Sequence, residues 1–118
     1  MTAANRKVLI MEDAVFIRAM ERRFLESAGY EIVGETNSEK ECVELYKKFR
    51  PDLLIADLAL AEGTGGGAIQ SISEFDPGFQ YIVVTSYADQ ISEEMRGKAQ
   101  AVLIKPFSEA EFAAALKA

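Results

Sequence analysis

Five short apolar runs, separated by amphipathic stretches, set the tightest limit on what this chain can fold into. The runs are VLIM (8–11), YEIVGE (30–35), DLLIA (52–56), YIVVT (81–85) and AVLI (101–104). Four are continuously apolar, as parallel strands covered on both faces require, whereas the second alternates Tyr30 and Ile32 with Glu31 and Glu35 and reads as an edge strand. Between the runs lie helical patterns. Ile17, Met20, Phe24 and Ala28 recur at spacings of three and four, and Gly29 follows as a stop. Ser38 and Glu41 form a capping box opening a helix whose expected buried face is Cys42, Leu45, Tyr46 and Phe49, with Cys42 a small core residue. Ala68, Ile69 and Ile72 mark a third helix, ended by Asp76-Pro77-Gly78. A fourth, around 89–98, has few apolar positions and a glycine at 97, so it is expected to be the loosest. Ser108 and Glu111 form a second capping box, with Phe107 and Phe112 placed as a hydrophobic staple. Alternating βα units imply a parallel sheet with right-handed crossovers, hence an open doubly wound sandwich. With 118 residues, 49% of them hydrophobic, the chain fills one such domain and no more.

Charge and cysteine content narrow the function classes. Nineteen acidic residues against 13 basic give a net charge of −6, which argues against nucleic acid as a direct partner, because phosphate backbones recruit basic surfaces. The single cysteine forms no internal disulfide, Met-Thr-Ala-Ala-Asn lacks the apolar core of a secretory signal, and no apolar run approaches membrane-spanning length. These features fit a cytoplasmic protein with no membrane association.

In doubly wound sheets ligands bind beyond the carboxyl ends of the strands, where strand order reverses. Glu12 and Asp13 follow the first run, Asp57 the third, Thr85 and Ser86 end the fourth, and Lys105 follows the fifth. Polar residues separated by 44, 28 and 20 positions (Asp13 to Asp57 to Thr85 to Lys105) therefore converge on one edge. Three close carboxylates repel, and a hard divalent cation such as Mg²⁺ resolves the conflict while accepting phosphoryl oxygens. The lysine adds a fixed positive charge and the threonine a hydroxyl. Together they suit a phosphoryl group seated on Asp57, a carboxylate nucleophile forming an aspartyl phosphate.

VLIMEDAVFIR, PDLLIADLAL, IVVTS and VLIKPF, in this order, resemble the receiver domain of two-component response regulators, of the kind that regulates chemotaxis, over essentially the whole chain. The resemblance implies a flavodoxin-like (βα)5 fold of strand order 2-1-3-4-5. It implies that Asp57 is the phosphoacceptor, that Glu12, Asp13, Asp57 and the backbone carbonyl of Ala59 hold Mg²⁺, that Thr85 is the switch hydroxyl and that Lys105 contacts the phosphoryl group. It further implies a cis Lys105–Pro106 bond and a phosphoryl donor that is a sensor histidine kinase or a histidine phosphotransfer protein. Such a domain catalyses its own phosphorylation and dephosphorylation and is a switch rather than a conventional enzyme, its phosphorylation changing affinity for an output partner of unknown identity.

Several positions depart from the family pattern. An aromatic residue usually stands three before the lysine; here it is Val102, and Tyr87 is placed either to replace it or to shield Asp57. Ala61 stands where a proline is usual, and GTGGG (63–67) follows where one glycine is normal. That run lacks the Gly-Lys-Ser/Thr ending of a P-loop and reads as a flexible loop. Phe16, Arg18, Arg22 and Arg23 are expected beside the site, as a mixed surface or, as in the family, the face that meets the phosphodonor. Asp13 could instead cap a helix. A haloacid-dehalogenase-type phosphatase also uses an aspartyl phosphate, but its Asp-x-Asp after the first strand is not matched by MEDAV. A receiver-like interaction module that is never phosphorylated is the other alternative, and the intact acidic set argues against it. Only 11 residues follow Phe107, so residues 1–118 are read as one receiver domain, either alone or as the N-terminal part of a longer regulator.

Overall fold

A computed structural model describes residues 6–118; the opening Met1–Asn5, read above as unlike a secretory signal, lies outside the described residues. The strands are β1 (Lys7–Met11), β2 (Glu31–Thr36), β3 (Leu53–Asp57), β4 (Tyr81–Thr85) and β5 (Ala101–Ile104). The helices are α1 (Val15–Ser27), α2 (Glu39–Phe49), α3 (Gly65–Phe75), α4 (Glu93–Lys98) and α5 (Glu109–Lys117). All strand pairs are parallel in the order β2-β1-β3-β4-β5, the doubly wound arrangement expected from the alternating pattern.

Alternate residues of the central strands feed two cores. Leu9, Met11, Leu54, Ala56, Tyr81 and Val83 pack with Cys42, Tyr46, Ala68 and Ile72 beneath α2 and α3. Val8, Ile10, Leu53, Ile55, Ile82 and Val84 pack with Leu25, Phe112 and Leu116 beneath α1 and α5. Burial on both faces is what makes these strands continuously apolar. Of the two expected capping boxes the second closes, Ser108 and Glu111 capping reciprocally, whereas Ser38 is a simple N-cap: its Oγ accepts from the Glu41 amide at 3.2 Å, but its own amide donates to Thr36 Oγ1 at 3.1 Å. Gly29 ends α1 at φ 91°, and the Lys105–Pro106 bond is cis.

Four further expectations need correction. Phe49 lies outside the core, 36% exposed with the Lys48 ammonium over its ring, while Val43 packs inward against the α2–α3 core; packing on the sheet favours the stripe through Val43 over the one through Phe49. On α1, Ala28 is exposed, and the inward stripe runs through Glu21 and Leu25 instead. The GTGGG run is not a slack loop. Thr64 caps α3 by accepting from the Gly67 amide at 2.9 Å, and Gly65 to Gly67 form the first turn of that helix. A side chain at Gly65 would collide with the Asp57 carbonyl oxygen, so this close approach is open to glycine alone. The fourth helix is short and buries none of its residues, and a 3-10 turn over Ala88–Gln90 occupies the start of the segment expected to be helical.

Candidate functional site

Strand register brings the polar residues together. Met11 pairs with Ala56, Asp57 with Val84 and Thr85 with Ile104, so the first residue after β1, the last of β3 and the first after β5 end at one level of the sheet. Between β1 and β3 the strand order reverses, which opens a crevice there. A cavity of about 190 Å³ occupies it, lined by Glu12, Asp13, Ala14, Asp57, Ala59, Ser86, Tyr87 and Lys105.

The carboxylates are individually engaged. Asp57 is buried; its Oδ1 accepts from the Ala59 amide at 3.1 Å and its Oδ2 from the Asp13 amide at 3.2 Å. Lys105 Nζ lies 2.8 Å from Glu12 Oε2 and 3.4 Å from Asp57 Oδ2. Buried charges persist only when paired in this way. Asp13 is not a helix cap: the cap of α1 is Ala14, and Asp13 Oδ1 accepts from the Ala61 amide at 2.9 Å. Burial, reinforced by Asp57, pushes the Glu12 carboxyl up to about 7 against the opposing pull of Lys105 and the Ala14 amide. Burial works against the charge of Lys105, but its contacts with Glu12 and Asp57 outweigh it and hold the ammonium above its ordinary pKa.

The donor set suits Mg²⁺. It consists of hard carboxylate oxygens beside the Ala59 backbone, and Glu12 Oε1 is buried without a hydrogen-bond partner. Among the described residues no three acidic, thiol or imidazole groups enclose a metal by themselves. A cation that keeps several of its waters needs no such cage.

Thr85 is placed differently from the others. It is buried at the end of β4 but does not line the cavity: its hydroxyl donates to Gln90 Oε1 at 2.8 Å and accepts from the Tyr87 amide at 3.1 Å. Tyr87 is 60% exposed and borders the cavity, which fits shielding of Asp57 better than filling the interior behind Thr85. Val102 is half-buried against the α2–α3 core.

On α1, Arg22 forms a fork with Glu35 at 2.6 and 2.8 Å, and Arg18 lies 3.4 Å from the same carboxylate, which is held below its usual range by Arg22. These arginines are tied to β2 rather than free, while Val15 and Phe16 are exposed. Two residues escaped sequence reasoning. Gln90 carried no signal, since its contact depends on the 3-10 turn. Glu21 did carry one, standing four residues from both Ile17 and Leu25 on the inward face of α1. It is fully buried with neither carboxyl oxygen partnered.

The family model for the response regulator receiver domain matches residues 8–117. The chain is 34% identical over 114 residues to the chemotaxis protein CheY of Thermotoga maritima, covering 95% of each chain. It is 36% identical over 110 residues to the transcriptional regulatory protein PdtaR of Mycobacterium tuberculosis, covering 90% of this chain and 52% of that one. In fold it is similar to a chain of the CheX-CheY-BeF3-Mg+2 complex from Borrelia burgdorferi, with a TM-score of 0.87 at 21% identity over 96% of this chain and 87% of that one.

Proposed function

The chain belongs to the response regulator receiver family, the phosphorylation-dependent switches of two-component signalling, and from that premise we propose that Asp57 is its phosphoacceptor. An Asp57 carboxylate oxygen attacks the phosphorus of a phosphohistidine on a sensor kinase or phosphotransfer protein. The new P–O bond forms as the P–N bond breaks, and the departing imidazole nitrogen takes up a proton. Lys105 stays charged beside Asp57 and neutralises the oxygens of the incoming group.

Receiver domains are generally Mg²⁺-dependent, and here Asp13, Asp57, the Ala59 carbonyl and, at one remove, Glu12 would hold the ion. When bound, Mg²⁺ supplies positive charge that relieves carboxylate repulsion and draws the phosphoryl oxygens in. Thr85 then changes partner: to reach the phosphoryl oxygens its hydroxyl must leave Gln90 and the Tyr87 amide, and residues 86–98, with their short helix, move with it. That rearrangement alters affinity for an output partner. Residues 1–118 act as one receiver unit in the cytoplasm; no helix among the described residues is long and apolar enough to cross a membrane.

One observation carries this reading: Asp57 sits buried at a small polar cavity with a fixed lysine 3.4 Å from its Oδ2. The test is beryllofluoride with Mg²⁺, a phosphoryl mimic, followed by amide chemical shifts. Wild type should respond at residues 57–61 and 85–98, and Asp57→Asn should not. An equal response in Asp57→Asn would remove Asp57 from the role.

A further inference from the structure

The glycine run after β3 closes around a carboxylate from another helix. Glu39, the first residue of α2, accepts from the Thr64 amide through Oε1 at 2.7 Å, and its own amide donates to the Glu62 carbonyl at 3.0 Å. Ser38 and Glu62 form an isolated parallel bridge, so the loops that precede α2 and α3 are pinned together. The seat admits no side chain. A Cβ at Gly67 would lie 2.5 Å from Glu39 Oε1, and one at Gly63, whose φ is 86°, 2.5 Å from Glu39 Cβ. The Thr64 amide at the start of α3 is the one that donates to this carboxylate, the Gly65 and Gly67 amides being taken by the Leu58 carbonyl and Thr64 Oγ1, so the glycines make room for the anion while Thr64 and the helix N-terminus attract it.

The other end of the same loop meets the site. Thr64 bridges Ala59 in antiparallel fashion, and the Gly65 amide donates to the Leu58 carbonyl at 3.1 Å. Ala59 in turn donates to Asp57 Oδ1, and Ala61 donates to Asp13 Oδ1. Contacts thus run from Glu39 through Thr64 to Ala59, which orients Asp57, and the chain carries the same loop two residues on to Ala61, which meets Asp13. The loop has alanine at 61, so no ring restricts its backbone there, and the hold on it comes from outside.

We propose that Glu39 is a positioning residue for the Asp57 site: its carboxylate, held by the Thr64 amide in the space that Gly63 and Gly67 leave, fixes the Leu58–Thr64 loop so that Ala59 and Ala61 meet Asp57 and Asp13. The seat accounts for Gly63 and Gly67, where a Cβ would displace Glu39, while Gly65 answers to its close approach to the Asp57 carbonyl. This rests on the reading of Asp57 and Asp13 given above only for its functional consequence, since the latch itself is a property of the metal-free protein.

The test uses Glu39→Ala, Glu39→Gln, Gly67→Ala and the double variant Glu39→Ala/Gly67→Ala. Without metal, amide shifts and hydrogen exchange at Ala59 and Ala61 report the latch; with Mg²⁺, a titration reports its consequence. Glu39→Ala should shift both amides and weaken Mg²⁺ binding about three- to tenfold, the worth of one ordinary side-chain hydrogen bond. Glu39→Gln keeps an oxygen acceptor and should recover most of the loss. Gly67→Ala expels the carboxylate and should reproduce it, and the double variant should be no worse than the poorer single variant. Unmoved Ala59 and Ala61 amides in Glu39→Ala, or additive losses in the double variant, would overturn the latch. A wild type that binds no Mg²⁺ would instead defeat the metal reading, and the metal-free amides would still decide on Glu39.

Discussion

Replacing Glu21 with leucine should stabilise this protein, and by more at high pH than at low. Glu21 is fully buried on the inward face of α1, near Leu25, and neither of its carboxyl oxygens has a partner. Burial above all, with the negative charges of Glu12, Asp57 and Glu35 adding to it and Lys105 opposing, pushes its pKa from 4.5 up to about 9. The unfolded chain therefore releases this proton near its ordinary pKa, while the folded protein keeps it until about pH 9. Between those values the folded state binds more protons, so the stability Glu21 allows is present in full at acid pH and is lost as pH rises. The slope is about 1.4 kcal/mol per pH unit, and the 2.5 units from 4.5 to neutrality give roughly 3 kcal/mol of lost stability at about pH 7. Leucine abolishes that loss and fills a similar volume, so the melting temperature near neutrality should rise by about 10 °C. Glu21→Gln keeps the shape and removes only the titration, so it should share the flatter pH profile with a smaller gain. Urea titrations of the three proteins from about pH 5 to about pH 8 provide the measurement. Profiles that run parallel to wild type in both variants would refute the reasoning.

Three further outcomes follow from contacts at the site. Gln90→Ala frees the Thr85 hydroxyl from a 2.8 Å bond and should tighten beryllofluoride binding about two- to tenfold, the worth of one side-chain hydrogen bond; unchanged or weaker binding would show that Gln90 does not restrain Thr85. Tyr87→Ala opens the exposed side of the cavity and should speed hydrolysis of phosphorylated Asp57 several-fold, so an equal or slower decay of the phosphorylated protein contradicts shielding. Lys105→Ala strands Glu12 and Asp57 without their cation and, since Lys105 is one of the groups holding the Glu12 pKa down, should cost about 3 kcal/mol at pH values well above 7. Much of that loss should be recovered below the raised Glu12 pKa of about 7, and a pH-independent loss in denaturation experiments would count against it.

The strands were legible because burial on both faces leaves little besides Val, Ile, Leu and Ala, and the site because polar residues ending such strands have one edge to share. Glu12, Asp13, Asp57, Ala59 and Lys105 meet at one cavity as the order of strands required. Helix faces were less legible. Two overlapping stripes fit the spacing of α1 and of α2, and only packing against the sheet decides for Leu25 over Ala28 and Val43 over Phe49. Glu21 stayed hidden because a carboxylate on an apolar stripe is ordinarily assigned to solvent. The glycine run misled for a different reason: its partner, Glu39, lies 25 residues away from Thr64, and nothing in the run's composition distinguishes a seat from slack chain. Thr85 was found but not its partner, since the Gln90 contact depends on the turn that follows β4.

Incubation with acetyl phosphate and Mg²⁺, followed by intact mass and peptide mapping, tests most directly the central claim that Asp57 receives the phosphoryl group. One acid-stable, base-labile phosphoryl group should appear on the peptide containing Asp57, and none on the Asp57→Asn protein. A phosphoryl group mapped to any other residue of the wild type, or an undiminished mass gain on Asp57→Asn, would contradict it.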